Sequence, residues 1–522
     1  MKLLSLGHSC FLLEMVPADR AEGVRILGDP WLSDHVAGDL LGRFPRLRFD
    51  VPSLQPLHAI FLSHSHTDHF DPESLLRLWR GLSPTPSVIL PQSLEYLEPL
   101  LCEFLDDPEI VRLREGEPQE FRGLTISGFF NREQRRSNED DAMVLRVESA
   151  REVFLNESDA LLPFYDPQVR GLVSSILGRS GVETACFLTT RNEEAATMAM
   201  VDARDLEDRQ SRLSRSIEAT YADIEEIYAP QNDGDPDEAD GPEGDDRGDD
   251  GDVWQNDRLV RLVGGQGICF PQDVRSDWNR VLFPIRREDR VRMEREIAEQ
   301  LACRHTTEEF VPGEIHHLEG GRLVRRERCA DLELLDREDE RLFDPALEIF
   351  EDFPAGPLID ERRDEERQRQ KILEALNGRF LPHLIGARQP PVEHLLAASG
   401  GEYLIRLRYG VETEPTDRDY RITFGRLRFE ESPASRDREP DEFYWANDVD
   451  DFLEGRCDEF STFCRRRLGG ASQRFWTSLG LPFLNNDLVE KKLRLHFERA
   501  VRGETLADWV LSFYRGWSGE DG

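Results

Sequence analysis

One stretch constrains this chain more than any other: residues 59–71, Ala-Ile-Phe-Leu-Ser-His-Ser-His-Thr-Asp-His-Phe-Asp, in which an apolar run passes directly into an H-x-H-x-D-H pattern. The apolar run reads as a buried β-strand. Asp71-Pro72-Glu73 reads as a helix start, with Asp71 as cap, Pro72 in the first turn, and Leu75, Leu76, Leu78 and Trp79 as the apolar face. At an extended strand end, residues i and i+2 point the same way, so His64 and His66 are expected to grip one cation. The turn into the helix swings Asp68 and His69 toward a second position. Imidazole nitrogens with a carboxylate suit Zn first, with Fe or Mn as alternatives. Four such side chains within six residues, at a strand-to-helix junction, form a specific signal.

The surrounding sequence predicts a β-rich core with helices. Short apolar runs separated by turns place strands at 2–6, 10–15, 24–27, 59–62, 87–90, 124–129, 143–147 and 153–155. Longer helical patterns cover 204–228 and 288–303. Residues 231–252 are almost entirely Asp, Gly, Glu and Pro and are expected to be a disordered, self-repelling insertion. A Pro312-Gly313 turn precedes a strand pattern at 314–324, and 360–370 is a charge run expected on an exposed helix face. From about residue 400 an α+β unit is expected, with 403–408 and 420–429 pairing as a hairpin. Aromatic-rich helices follow it, carrying Phe452, Phe460, Phe463, Phe475, Trp476, Phe497, Trp509 and Phe513 as core. With 522 residues the chain exceeds one ordinary core. The expected division is residues 1–325 for the domain that carries the metal loop and 326–522 for a C-terminal α+β region.

Composition excludes several partners. Acidic residues number 104 against 66 basic ones, for a formal net charge of −38, which repels nucleic acid and anionic membranes. No run approaches the roughly 20 apolar residues of a membrane span. The opening 15 residues, interrupted by Gly7, His8 and Glu14, read as two strands instead of a signal peptide. The eight cysteines contain no C-x-x-C pair and read as buried thiols, so a cytoplasmic location and a small-molecule substrate are expected.

H-x-H-x-D-H after a strand, together with Gly7-His8-Ser9-Cys10 and Gly28-Asp29-Pro30-Trp31-Leu32, resembles the metallo-β-lactamase superfamily. The match is to the branch holding ascorbate-phosphate lactonases, N-acylphosphatidylethanolamine phospholipase D and the metallo-β-lactamase-like part of CMP-N-acetylneuraminate hydroxylase. The last is also similar in its Tyr-x-Pro element, here Tyr228-Ala229-Pro230. The resemblance covers about residues 1–230. It implies an αββα sandwich with an additional α+β C-terminal region. It also implies His64 and His66 as ligands of a first metal and Asp68 and His69 as ligands of a second. Asp159, in the Val153–Asp159 segment, is implied as the bridging carboxylate. The activity implied is metal-assisted hydrolysis of an ester, lactone or phosphodiester, with Asp68 orienting or deprotonating the attacking water.

Two of the family's ligands have no counterpart. The third histidine of the first metal falls near Ser137 or Asn138, and no histidine occurs between His69 and His305. The final histidine of the second metal is missing as well. Three outcomes stay open: one metal held by Asp68, His69, Asp159 and a neighbour; oxygen ligands recruited from Glu133, Asn138, Glu139, Asp140 or Asp141, favouring a harder cation; or a site without catalysis. His8, at a strand start, and His35, after the D-P-W-L loop, are the histidines placed to compensate. His305, His316 and His317 form a second group, in which His316 and His317 point to opposite faces of a strand. Cys303-Arg304-His305 supplies a C-x-H, but no C-x-x-H follows, so no Rieske cluster is expected and a diiron oxygenase would need an external electron donor. One or two divalent ions per chain are expected, with oligomeric state open.

Overall fold

In a computed structural model the described residues are 1–36, 41–43, 45–131, 142–160, 171, 175–176, 178–189, 257–264, 268–269, 287–300, 305–335, 362–382, 396, 400–411, 413–436, 438–454, 467–468 and 486–503. Two sheets face one another. The first contains β1 (Lys2–Gly7), β2 (Cys10–Met15), β3 (Val24–Gly28), β7 (Ala59–Phe61), β8 (Ser87–Pro91), β9 (Ile110–Leu113), β18 (Glu314–Glu319) and β19 (Arg322–Arg328), in the order β19-β18-β1-β2-β3-β7-β8-β9. The second contains β10 (Gln119–Phe121), β11 (Leu124–Phe130), β12 (Met143–Glu148), β13 (Glu152–Ser158), β14 (Thr184–Thr189), β15 (Leu259–Val263) and β17 (Thr306–Glu309), paired in sequence order. In each sheet, antiparallel hairpins give way to parallel strands, from β3 through β9 and from β13 through β17.

Strand periodicity explains the sandwich. Leu3, Phe11, Leu13, Ile26, Ala59 and Phe61 point into the space between the sheets, where they meet Ile126, Leu145, Val147, Phe154 and Leu188 of the second. Phe11 and Phe154 touch across it, with ring centroids 5.2 Å apart. Their neighbours Leu4, Leu6, Leu12, Leu27 and Ile60 point outward and are covered by α1 (Pro72–Gly81) and α2 (Glu98–Phe104). Burial on both faces is why these strands read as unbroken apolar runs. On the second sheet lies α3 (Arg287–Gln300), whose Glu294 pairs with Arg261 of β15 at 2.6 Å. The layers are helix, sheet, sheet, helix, as expected from the sequence.

A small sheet of β4 (His35–Val36), β5 (Leu41–Arg43) and β16 (Ile268–Cys269) follows the Asp29–Leu32 loop, and β6 (Leu47–Phe49) pairs with β20 (Leu332–Leu334). The C-terminal α+β unit is a five-stranded sheet ordered β23-β22-β21-β24-β25. Its strands are β21 (Glu402–Tyr409), β22 (Thr416–Thr423), β23 (Arg426–Pro433), β24 (Glu442–Trp445) and β25 (Arg467–Leu468). It packs with α4 (Glu365–Ala375) and α5 (Ala446–Leu453) around Tyr403, Ile405, Tyr420, Ile372 and Phe452.

Several boundaries differ from the sequence reading. The 420–429 pattern is two strands, because the chain turns at Phe424-Gly425 between β22 and β23. The 314–324 run likewise breaks at Gly320-Gly321, both at positive φ. The helix expected at 360–370 starts only at Glu365, capped by Asp364. It is not wholly exposed: Gln368 is buried, and Arg363 just before it pairs with Asp450 and Asp451. The division expected after residue 325 falls inside β19. Beyond it the chain returns to the first body, through β20 and through α6 (Asn486–Arg502), whose Val489, Leu493 and Phe497 join the core under α1 and α2. Phe497 thus belongs to the N-terminal body: its ring stacks on Phe104 at 4.8 Å. The expected helix at 204–228, the acidic insertion and Tyr228-Ala229-Pro230 lie outside the described residues, as do Phe460, Phe463, Phe475, Trp476, Trp509 and Phe513.

Candidate metal centre

The metal loop leaves the first sheet where β7 ends at Phe61. The adjacent parallel strand β3 ends at Gly28, and the next residue, Asp29, donates its N–H to the Phe61 carbonyl at 2.9 Å. The second sheet reaches the same rim: β13 ends at Ser158, just before Asp159, and the Met143 N–H donates to the Ser63 carbonyl at 3.1 Å. The β1–β2 hairpin contributes His8. Four strand ends thus converge on one edge of the sandwich.

Asp29 organises this edge. It is fully buried, and its Oδ1 accepts the Ser63 N–H at 2.7 Å. Oδ2 faces Ser63 Oγ at 2.8 Å, Ser158 Oγ at 2.8 Å and His69 Nδ1 at 3.1 Å. One carboxylate therefore ties three strand ends together and fixes the His69 ring with Nε2 outward. A carboxylate on the far nitrogen of an imidazole is the usual device for orienting a metal ligand. Asp71 fulfils its predicted role, accepting from the N–H groups of Glu73 at 3.2 Å and Ser74 at 3.3 Å, which fixes where the metal loop ends.

Around His69 Nε2 two groups of donor atoms form, each with its atoms within 4.8 Å of one another: His8, Asp68 and His69, and His64, His69 and Asp159. His8 Nε2 is 3.0 Å from Asp68 Oδ2. Asp159 Oδ2 lies 3.2 Å from His69 Nε2 and 3.7 Å from His64 Nε2. His64 Nδ1 is anchored by Ser63 Oγ at 2.9 Å. Because Asp29 occupies His69 Nδ1, His69 has one nitrogen to offer, so it serves one cation at a time.

The backbone is strained here. Of five non-glycine residues with positive φ among those described, three belong to this rim: His8 at 49°, Asp29 at 44° and Ser158 at 48°. L-residues adopt this region seldom, and such conformations concentrate at functional sites.

The electrostatics fit a cation. Burial alone would push the His69 imidazole down, but the Asp159 and Asp68 carboxylates, with hydrogen bonds to Asp159 and Asp29, hold it well above its usual range. Burial alone would raise Asp68, yet His69, then His8 and His66, hold it well below the ordinary carboxylate range. Asp159 is likewise lowered: His69 and His64 outweigh its burial and the like charge of Asp68. Three carboxylates, Asp29, Asp68 and Asp159, thus surround one imidazole, whose proton supplies the positive charge they require. A divalent cation would take over that role. Asp68 Oδ1 is buried and has no hydrogen-bond partner among the described residues, an acceptor that an ion or the water on it would satisfy.

The structure therefore brings together His64, Asp68, His69 and Asp159 and adds His8. His66 stands outside both groups. Its ring packs on His64 at 4.7 Å, and its carbonyl accepts from the N–H groups of His69 at 3.0 Å and Phe70 at 2.7 Å. The turn starts at His66, so the two-residue alternation expected of an extended end no longer applies. His35 lies on β4, and its side chain is outside the described residues, as are residues 132–141, which hold Glu133, Asn138, Glu139, Asp140 and Asp141. His316 is buried, with Nε2 at 3.0 Å from the Glu309 carbonyl, while His317 faces the other way toward Glu327 at 2.8 Å. Burial pushes His305 down to about 4. The sequence reading missed the anchoring roles of Asp29, Ser63 and Ser158. The first was signalled by Asp29-Pro30-Trp31-Leu32, a polar residue set at the end of an apolar strand.

Residues 24–155 match the family model described as the beta-lactamase superfamily domain. No curated protein matches the chain. Among solved structures, the chain is similar to CmlA, a diiron β-hydroxylase from Streptomyces venezuelae (19% identity, TM-score 0.27, 38% of this chain and 36% of that one). It is also similar to the metallo-β-lactamase fold protein YhfI from Bacillus subtilis (13% identity, TM-score 0.22, 37% and 72%). A third is a metallo-β-lactamase with a HARLDQ motif from Cronobacter sakazakii (12% identity, TM-score 0.20, 41% and 82%). The match thus spans little more than a third of the length of CmlA.

Proposed function

We propose, from the match of residues 24–155 to the beta-lactamase superfamily domain, that this chain is a metal-dependent hydrolase of that superfamily acting on an ester, lactone or phosphodiester bond of a small molecule. The observation that carries this reading is the pair of donor groups sharing His69 Nε2 within one buried, acid-rich rim. Superfamily members hold divalent metals, and two imidazoles with a carboxylate suit Zn. In this reading His69, Asp159 and His64 form one ligand set, and His8 and Asp68 complete the other in place of the absent final histidine.

When bound, the cation acts as a Lewis acid and makes water nucleophilic near neutral pH. The chain's own groups do the rest. Asp29 and Ser63 hold His69 and His64 in register, so little reorganisation is needed. Asp68 Oδ1 is the acceptor positioned to orient the attacking water, since the neighbouring imidazoles keep its carboxyl ionised. The acidic surface does not oppose an anionic substrate at this point, because the local positive charge dominates at short range.

The His64, His69 and Asp159 group is also two histidines and one carboxylate, a set that suits non-haem iron, with His8 and Asp68 left for a second ion. That observation favours a second reading, an oxygenase-like diiron protein with an external reductant. The test is turnover of chromogenic ester, lactone and phosphodiester substrates by the full chain loaded with Zn(II). Hydrolysis of at least one, abolished by chelation and restored by Zn(II), is expected. Turnover that survives chelation refutes the hydrolase reading, and turnover only with iron, dioxygen and a reductant replaces it with the second.

A further inference from the structure

Arg43, the last residue of β5, is 1% exposed, and among the described residues none of its nitrogens Nε, Nη1 and Nη2 has a hydrogen-bond partner. Asp34 and Asp71 act on it only through space, and the neighbouring Cys10 thiol, pushed by burial up to about 12, carries no charge near neutral pH. Arginine keeps its proton at any physiological pH, so neutralisation is not a way out. A guanidinium held out of water without a partner is costly, and folded chains retain one where an anion meets it.

The position of Arg43 says where that anion sits. Its Nη2 stands 3.5 Å from where a Cβ on Gly7 would be, and Gly7 directly precedes His8 of the metal rim. Trp31, fully buried, meets His8 edge-on with centroids 5.1 Å apart, and its backbone hydrogen-bonds the Cys10 thiol. Trp31 Nε1 and His8 Nδ1 are buried and likewise have no hydrogen-bond partner among the described residues. The Arg43 guanidinium and the Trp31 ring thus both lie beside the Gly7–His8 turn.

We propose that Arg43 anchors an oxyanion subsite beside the metal centre, taking a phosphate or carboxylate group of the substrate in its guanidinium fork, with Trp31 Nε1 and His8 Nδ1 as further donors. Fork geometry matches two oxygens of such a group at once. The proposal rests on the hydrolase reading and narrows its substrates to anionic ones.

The probe is inorganic phosphate, titrated at constant ionic strength into the full chain stripped of metal, with thermal unfolding as readout. Wild type is expected to gain stability with phosphate and not with chloride. Arg43→Met is expected to raise the half-saturating phosphate concentration at least about tenfold. In phosphate-free buffer the same variant is expected to be no less stable than wild type, because it removes an uncompensated buried charge. Arg43→Lys, which keeps the charge and loses the fork, should fall between the two. A wild type that ignores phosphate, an Arg43→Met variant that responds like wild type, or one that fails to fold without phosphate would each overturn the proposal. In the metal-loaded enzyme, the ratio of kcat/KM for an anionic ester to that for a neutral ester should drop at least about tenfold in Arg43→Met. An unchanged ratio overturns the assignment of the anion to the substrate. Stripping the metal keeps the phosphate titration independent of the hydrolase reading, which fails separately if the loaded chain turns nothing over.

Discussion

Replacing Asp29 by Asn tests whether the rim is built around a single carboxylate. An asparagine oxygen in the Oδ2 position still accepts from Ser63 Oγ, Ser158 Oγ and His69 Nδ1, at the observed 2.8, 2.8 and 3.1 Å. Its NH2 then faces the Ser63 N–H, which loses its 2.7 Å acceptor, so two donors oppose one another in a fully buried place. One buried unsatisfied N–H costs about 1–3 kcal/mol, and the hydroxyls cannot compensate, because neither lies on that side of the carboxylate. The stability of metal-free protein should therefore drop by about 2 kcal/mol, read as a lower urea midpoint with an unchanged slope. His69 also loses its negative partner. Losing an outer-shell carboxylate of this kind weakens metal binding by about 10–100-fold. Competition with a fluorescent chelator measures that loss. A variant that binds Zn(II) within about twofold of wild type while losing the expected stability would show that Asp29 braces the strands without tuning a ligand, and the site as described would be refuted.

Two further outcomes follow from parts of the chain away from the rim. His316 is buried, and burial first, then Arg326, pushes it from 6.5 down to about 4. Between those values the unfolded chain binds a proton that the native chain does not, so stability is full above pH 6.5 and falls as pH drops toward 4, by about 3 kcal/mol for this residue. His316→Gln should flatten that fall in urea titrations across the range, and an unchanged acid limb would contradict the assignment. Leu493→Ala on α6 removes a fully buried side chain from the core under α1 and α2 and should cost about 2–5 kcal/mol. A loss below about 0.5 kcal/mol would mean that α6 does not support the N-terminal body.

Much of the sandwich was legible because its strands obey simple rules. β2 runs from Cys10 to Met15 as its apolar run does, and α1 begins at its Asp71 cap and Pro72. Elements that rest on distant pairing were not legible. β4 and β16 are two residues each and exist only because β5 lies between them. The strand patterns at 314–324 and 420–429 look continuous because a two-residue turn hardly interrupts the apolar period, and only Gly320-Gly321 and Gly425 mark the reversals. In the site, the residue types of the H-x-H-x-D-H loop announced a cation, while their directions depended on where the strand stopped. β7 ends three residues before His64, and the turn beginning at His66 leaves that residue outside both donor groups. His8, 56 positions before His64 in the sequence, joins through a hairpin turn held at positive φ. The part played by Asp29 follows from the parallel pairing of β3 with β7, which no local pattern encodes.

The most direct test is the amount of divalent metal in full-length protein purified without chelators, compared with a His64→Ala/His66→Ala double variant and with His69→Ala. At least one ion per wild-type chain is expected, with Zn foremost. His69→Ala should lose it, since both donor groups share that imidazole, and the double variant should lose most of it. Equal metal in all three proteins would mean that these side chains do not meet on a cation, leaving the fold without the chemistry assigned to it.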